Sequence, residues 1–230
     1  MKKSLSLTFL VIAGLMLFSI ASCGGSSDRE QYAQADYSYD YDEEAYDTYE
    51  EEAESVVSSF KAFPIYTDGR SPDNHYIPSG YMGDYSDVRL DTASFENPYS
   101  GSTCIKIVYS NLVSQGARWA GLYWQNPANN WGDRQGGFDL TGAAKLTFWA
   151  RGEQGGERIE EFKIGGITGL YPDSDIAGIG PVLLTNEWKQ YEIDLRGKDL
   201  SYISGGFALS TNIDVNPEGA TFYLDDIRYE

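Results

Sequence analysis

Flat rings set among amides and a guanidinium carry the most chemistry in this sequence. Trp119, Tyr123 and Gln125 fall at odd positions of the run Arg118 to Gln125, and Trp149 and Arg151 do the same in Lys145 to Arg151. The loop segment Asn126-Pro127-Ala128-Asn129-Asn130-Trp131-Gly132-Asp133-Arg134 adds a further indole with amides and charges on both sides. Side chains two apart in a strand share a face. With Ala120, Leu122 and Trp124 on one side, Trp119, Tyr123 and Gln125 take the other. With Leu146, Phe148 and Ala150 inward, Trp149 and Arg151 face out on a neighbouring strand. A sugar presents apolar C–H faces that stack on rings and hydroxyls that pair with Asn, Gln, Asp and Arg. The alternative is that these tryptophans fill the interior, as is expected of Trp124 and Trp188. The sugar reading requires at least two of Trp119, Tyr123, Trp131 and Trp149 to be accessible on one surface.

The remaining residue types exclude several activities. His75 is the only histidine, which argues against histidine-centred hydrolysis and His-ligated zinc, and as a lone loop histidine it is expected to face solvent. Glu160 and Glu161 are adjacent, so on a strand they point to opposite faces and cannot form the acid pair of a glycosidase. The expectation is a protein that is not an enzyme. Formal net charge is -18, which disfavours a phosphate backbone, so no nucleic acid partner is expected.

The chemistry must be positioned by the domain that follows a distinctive start. Lys2 and Lys3 precede an apolar run from Leu5 to Ile20, too short for a spanning helix, and then Ile20-Ala21-Ser22-Cys23. That order resembles the lipobox of bacterial lipoproteins. The resemblance implies a signal peptide over 1–22, an acylated Cys23 (a palmitate-type anchor) and an extracytoplasmic protein held to the membrane by lipid. Gly24, rather than an aspartate marking inner-membrane retention, favours the outer membrane. Residues 23–58 hold the lipidated cysteine and an acidic, tyrosine-rich linker. From Gly24 to Glu54 there are twelve acidic residues and one basic, leaving -9 for Ser55 to Glu230. With almost no aliphatic residues this segment is expected to be a disordered spacer, although alternating Tyr and Asp could also bind cations or a basic partner. After Cys23 only Cys104 remains, so no internal disulfide can form.

Residues 59–230 read as an all-β sandwich. Short alternating segments are punctuated by Gly, Pro, Asn and Asp: Thr103–Ser110, Arg118–Gln125, Lys145–Arg151, Arg158–Ile164, Lys189–Leu195, Gly206–Ser210 and Thr221–Tyr229. Asp73 to Asp84 reads as an unusual polar and aromatic loop. Short helical turns are expected after Phe138 to Gly142 and near Gly197 to Tyr202.

Three stretches, Ile65–Gly69, Asp139–Arg151 and Thr221–Tyr229, resemble the galactose-binding-type jelly roll of many carbohydrate-binding modules. The resemblance implies a jelly-roll β-sandwich, a carbohydrate partner and a monomer. It also implies a structural calcium where the first strand meets the last, with Asp68 and Asp225 as ligands. Asp225 and Asp226 could instead cap or pair with Arg89 or Arg228. The expected function is a membrane-anchored module binding poly- or oligosaccharide through Trp119, Tyr123, Trp131, Trp149 and Arg151. A sandwich lacking a sugar site, with a structural or protein-interaction role in the cell envelope, is the alternative. An accessory role beside a separate glycan-degrading enzyme partner is a third.

Overall fold

The computed structural model describes residues 60–230. The expected signal peptide, the expected acylation site Cys23 and the expected acidic linker lie outside the described residues. Thirteen strands form the domain. They are β1 (Phe63–Tyr66), β2 (Ile77–Gly83), β3 (Val88–Ser94), β4 (Cys104–Tyr109), β5 (Trp119–Gln125), β6 (Lys145–Gly152) and β7 (Arg158–Ile159). The others are β8 (Glu161–Gly165), β9 (Ile176–Ile179), β10 (Val182–Leu183), β11 (Lys189–Asp194), β12 (Gly205–Asn212) and β13 (Ala220–Tyr229). Helical structure among the described residues is confined to a 3-10 turn at Tyr85–Asp87. The expected helical turn near Asp139 is a single hydrogen-bonded turn, closed by the Ala143 amide donating to the Leu140 carbonyl, in which the Asp139 carboxylate accepts from the Thr141 amide.

Two antiparallel sheets stack face to face. Sheet one runs β11-β6-β13-β4-β3, with β1 also paired to β13. Sheet two runs β2-β5-β12-β8-β9, and β7 and β10 make a small separate ribbon. Along β13, Ala220–Leu224 pair with β4 and Ile227–Tyr229 with β1, while β6 follows the opposite edge. The change of partner falls at a bulge around Asp226, whose φ of 45° takes the left-handed backbone that a bulge permits.

Alternation sets the core. Ile105, Ile107, Phe148, Phe222 and Leu224 of sheet one meet Leu122, Trp124, Phe162 and Phe207 of sheet two. Ring contacts cross between the layers, where Phe148 lies 4.7 Å from Phe162 and 5.2 Å from Phe207, and within sheet two Trp124 lies 5.4 Å from Phe207. Each fully buried aromatic side chain contributes about 1.5–3 kcal/mol relative to exposure. Burying such rings supplies the main cohesion in a domain whose only described cysteine, Cys104, is a buried free thiol.

His75 departs from the expectation of a solvent-facing loop residue. Its ring packs 3.9 Å from that of Phe63, and its Nδ1 lies 2.8 Å from the Pro64 carbonyl. A histidine between an aromatic face and a carbonyl acceptor finds both an apolar contact and a polar partner, which holds it half-buried.

Candidate ligand-binding faces

The five residues expected to form one platform lie on two faces. β5 belongs to sheet two and β6 to sheet one, so Trp119 and Tyr123 point away from one side of the sandwich, and Trp149 and Arg151 away from the other. The expectation that β5 and β6 are neighbours is corrected here: consecutive strands have crossed between layers, and a strand's alternation does not reveal its sheet.

On the outer face of sheet two, Trp119 at the start of β5 is 41% exposed. Tyr123 is buried in a small cluster with Ile167 and Ala208. Its hydroxyl donates to the Gly165 carbonyl at 2.9 Å, and burial raises its phenol above the ordinary pKa. Tyr123 is therefore a support and not a stacking surface. Gln125 is likewise buried, donating to the Asn130 carbonyl and accepting from Ser79. Trp131, held edge-on to Tyr123 with centroids 6.0 Å apart, is 43% exposed. Two accessible indoles thus bracket the outer face of β5.

The floor between them is shallow. Gly121 pairs with Ser210, and Ala208 pairs with Tyr123 and Lys163. A Cβ at Gly121 would lie 2.8 Å from the Met82 methyl and 2.8 Å from the Leu209 carbonyl oxygen, so a larger residue would displace the strand neighbours. Lys163, with its ammonium 5.5 Å from the Tyr123 centroid, pairs with Glu161 at 3.3 Å. Asn212 lies across from Trp119. Polar groups therefore flank the floor while the rings stand at its ends. Trp119 and Tyr123 are four residues apart, about 13 Å along an extended strand, a span longer than one pyranose ring.

Aspartates hold the loops at both ends, Asp84 fully buried and Asp173 half-buried. Asp84 accepts from the amides of Gln115, Ala117 and Arg118 at 2.7, 3.0 and 2.6 Å, and its own amide donates to the Trp119 carbonyl at 2.7 Å. Asp173 accepts from Ile167, Ser204 and Gly205, and the neighbouring Tyr171 amide donates to Gly132 beside Trp131. Sequence reading gave neither aspartate this anchoring role, because nothing in the local pattern distinguishes an amide acceptor that pins a loop from a solvated turn residue.

The outer face of sheet one is roofed. The connection from Phe95 to Thr103 crosses it, and Tyr99 stacks on Trp149 with centroids 3.7 Å apart and planes 14° apart. Arg151 is buried, its guanidinium 3.7 Å from the Tyr223 ring centroid and 5.3 Å from that of Trp188. Its Nη2 donates to the Glu96 carbonyl at 2.9 Å. Trp188 donates its indole N–H to the Asn97 carbonyl. Trp149 and Arg151 are thus engaged by their own chain, and the expectation that Arg151 reaches a ligand is corrected: it is the cation of an internal aromatic cluster.

Asp68 and Asp225 both lie against this connection, but their oxygens are aimed at hydrogen-bond donors. Asp68 accepts from the amides of Ser102 and Thr103 and from the Thr103 hydroxyl. Asp225 accepts from the amides of Tyr99, Ser100 and Asp226. Burial raises its carboxyl to about 6. Amide dipoles present their positive ends to both carboxylates, as a cation would. Among the described residues no three carboxylate, thiol or imidazole side chains gather to hold a metal ion. The two aspartates as arranged do not fit the shared calcium that the resemblance implied.

No family model and no curated protein matches this chain. Solved structures do. Two crystal structures of family 30 carbohydrate-binding modules superpose with TM-scores of 0.52 and 0.50, each at 16% identity. They cover 75% and 74% of this chain and 88% and 98% of the modules. A family 30 module of a cellulosomal cellulase from Clostridium thermocellum gives 0.47 at 18% identity, over 74% of this chain and 97% of that one. The first two matches establish the class of fold. Residues 60–230 form a β-sandwich of the carbohydrate-binding-module type.

Proposed function

We propose that this protein is a non-catalytic, lipid-anchored module that binds an extended carbohydrate chain across the outer face of sheet two. One observation carries the reading: Trp119 and Trp131, each about two-fifths exposed, stand at opposite ends of the same β5 face over a floor of small residues. The carbohydrate ligand is supported by the fold shared with the family 30 modules. The rings supply stacking area, while Lys163, Glu161 and Asn212 are the polar groups beside the floor that can orient hydroxyls. Anchoring through an acylated Cys23, outside the cytoplasm and at the outer membrane, is proposed from the sequence around that residue. Two open stacking contacts give weak single-site binding, roughly micromolar to millimolar, strengthened by many copies on one membrane.

Affinity electrophoresis through gels containing β-glucan, xylan or mannan tests the reading. The full chain is expected to be retarded by at least one polymer, and Trp119→Ala combined with Trp131→Ala to run freely. Unretarded migration in every gel, or retardation unchanged by the double substitution, overturns it.

A further inference from the structure

A cleft distinct from the sheet-two face lies at the edge of the sandwich, between the β1–β2 connection and the end of β3. Its volume is about 610 Å³, within the size range of small-molecule sites. Phe95 forms one wall and is 78% exposed, the largest exposure of any big apolar side chain among the described residues. Arg70 lies at the cleft, exposed, with no hydrogen bond or ion pair from its guanidinium among the described residues. Thr67, Ser71 and Ser102 are also among the residues that line it.

Asp68 supplies the acceptor. Its Oδ1 takes hydrogen bonds from Ser102, Thr103 N–H and the Thr103 hydroxyl, whereas Oδ2 takes only a 3.2 Å bond from Ser102. A carboxylate offers about four lone-pair sites, so Oδ2 retains capacity for a ligand hydroxyl. The hydrogen bonds to Thr103 and Ser102 also hold Asp68 below the usual carboxylate range, so it is ionised and purely an acceptor at neutral pH. Gly101 makes room for it: with φ at +59°, a Cβ there would lie 2.4 Å from Asp68 Oδ2.

We infer that this cleft is a second binding site, for a single sugar ring such as the end of a glycan chain. Phe95 stacks on the C–H face, Arg70 donates to ring or hydroxyl oxygens, and Asp68 Oδ2 accepts from a hydroxyl. The inference rests on the carbohydrate reading above but uses none of the sheet-two residues. A half-open cleft with a donor and an acceptor close to one exposed ring suits one sugar ring, whereas the long β5 face suits a chain.

Saturation-transfer NMR with methyl glycosides of glucose, galactose, mannose and xylose tests it, using the full chain in a detergent without sugar. One ring cannot span Trp119 to Trp131. At least one glycoside should therefore show transfer of equal strength with the wild type and with the Trp119→Ala, Trp131→Ala double variant. Phe95→Ala should weaken that glycoside about three- to tenfold, as expected for one lost stacking contact, and Arg70→Ala should weaken it as well. Absence of transfer from every methyl glycoside, with polysaccharide retardation intact, overturns the cleft and leaves the proposed function standing. Transfer unaffected by both cleft substitutions also overturns it. Transfer lost in Phe95→Ala from a protein that no polysaccharide retards supports the cleft and removes the sheet-two reading.

Discussion

Asp225 occupies a position where its charge costs the fold, and replacing it tests the electrostatics of the roofed face. The carboxyl is fully buried and held by amides, with its pKa raised from 3.8 to about 6 by burial. A difference of roughly two units corresponds to at most about 3 kcal/mol between its protonation states. Because the folded value is raised, the native state keeps this proton where the unfolded chain has released it. The penalty is absent below about pH 4, grows as pH rises, and is complete once pH passes the folded value. Asp225→Asn removes the charge and keeps an oxygen that can accept from Tyr99 or Ser100. Stability of the variant relative to the wild type should therefore rise by up to about 3 kcal/mol between about pH 4 and pH 7. Urea unfolding followed by tryptophan fluorescence at fixed ionic strength measures this. Asp68 and Asp194, whose carboxyls are held low by hydrogen bonds, lose stabilising charge as pH falls. They do so in both proteins, so their contribution cancels in the difference. A difference that stays flat, or that falls with rising pH, refutes the assignment of Asp225 as a buried charge opposed to folding.

Three further outcomes follow from the same geometry. Trp124→Ala, which empties a core site, should cost about 3–5 kcal/mol in urea unfolding, whereas Trp119→Ala on the open face should change stability by no more than about 0.5 kcal/mol; equal costs contradict the placement of the two rings. Asp84→Ala should speed amide hydrogen exchange at Gln115, Ala117 and Arg118 by at least about tenfold. Unchanged exchange there would show that the loop before Trp119 is held without that carboxylate. Chelation by EDTA should leave the thermal midpoint within about 1 °C of its untreated value, since a bound ion stabilises the state that holds it. A fall of several degrees, restored by calcium, would show that the donors around Asp68 and Asp225 rearrange to hold a cation.

Strand character was legible wherever the alternation was strong. β4, β5, β6, β12 and β13 lie within a residue or two of their sequence-read bounds because aromatic and branched side chains alternate with polar or small ones. β2 was read as loop, since Ile77-Pro78-Ser79-Gly80 carries a proline and a glycine. It is an edge strand, bonded only to β5, where a missing proline N–H is tolerated. Facing was legible too: the odd positions of β5 do lie opposite its core row. Pairing was not. Whether β5 and β6 share a sheet depends on long-range strand order, which period-two patterning does not encode. The platform divides between two faces for that reason, and Trp131, which belongs to no strand, is the accessible indole packed beside Tyr123 on the face that also carries Trp119.

Why rings stay open on one face and close on the other can be traced to a single connection. Phe95 to Thr103 folds over sheet one because several groups beneath it need partners. Arg151 needs the Glu96 carbonyl and Asp225 needs the Tyr99 and Ser100 amides, while at the exposed rim the Trp188 indole N–H donates to the Asn97 carbonyl. Buried polar groups without such bonds would each cost about 1–3 kcal/mol, so these residues and the connection require one another. Sheet two makes no comparable demand at its centre: Gly121, Ala208 and Ser210 offer small side chains over the backbone ladder, and Lys163 is already neutralised by Glu161. Its loops are instead pinned at the rim by Asp84 and Asp173, leaving the middle of the face clear. A ligand bound on sheet two as proposed would meet rings whose supporting loops are pinned by the protein's own hydrogen bonds, and would not first have to displace a segment of the protein's own chain.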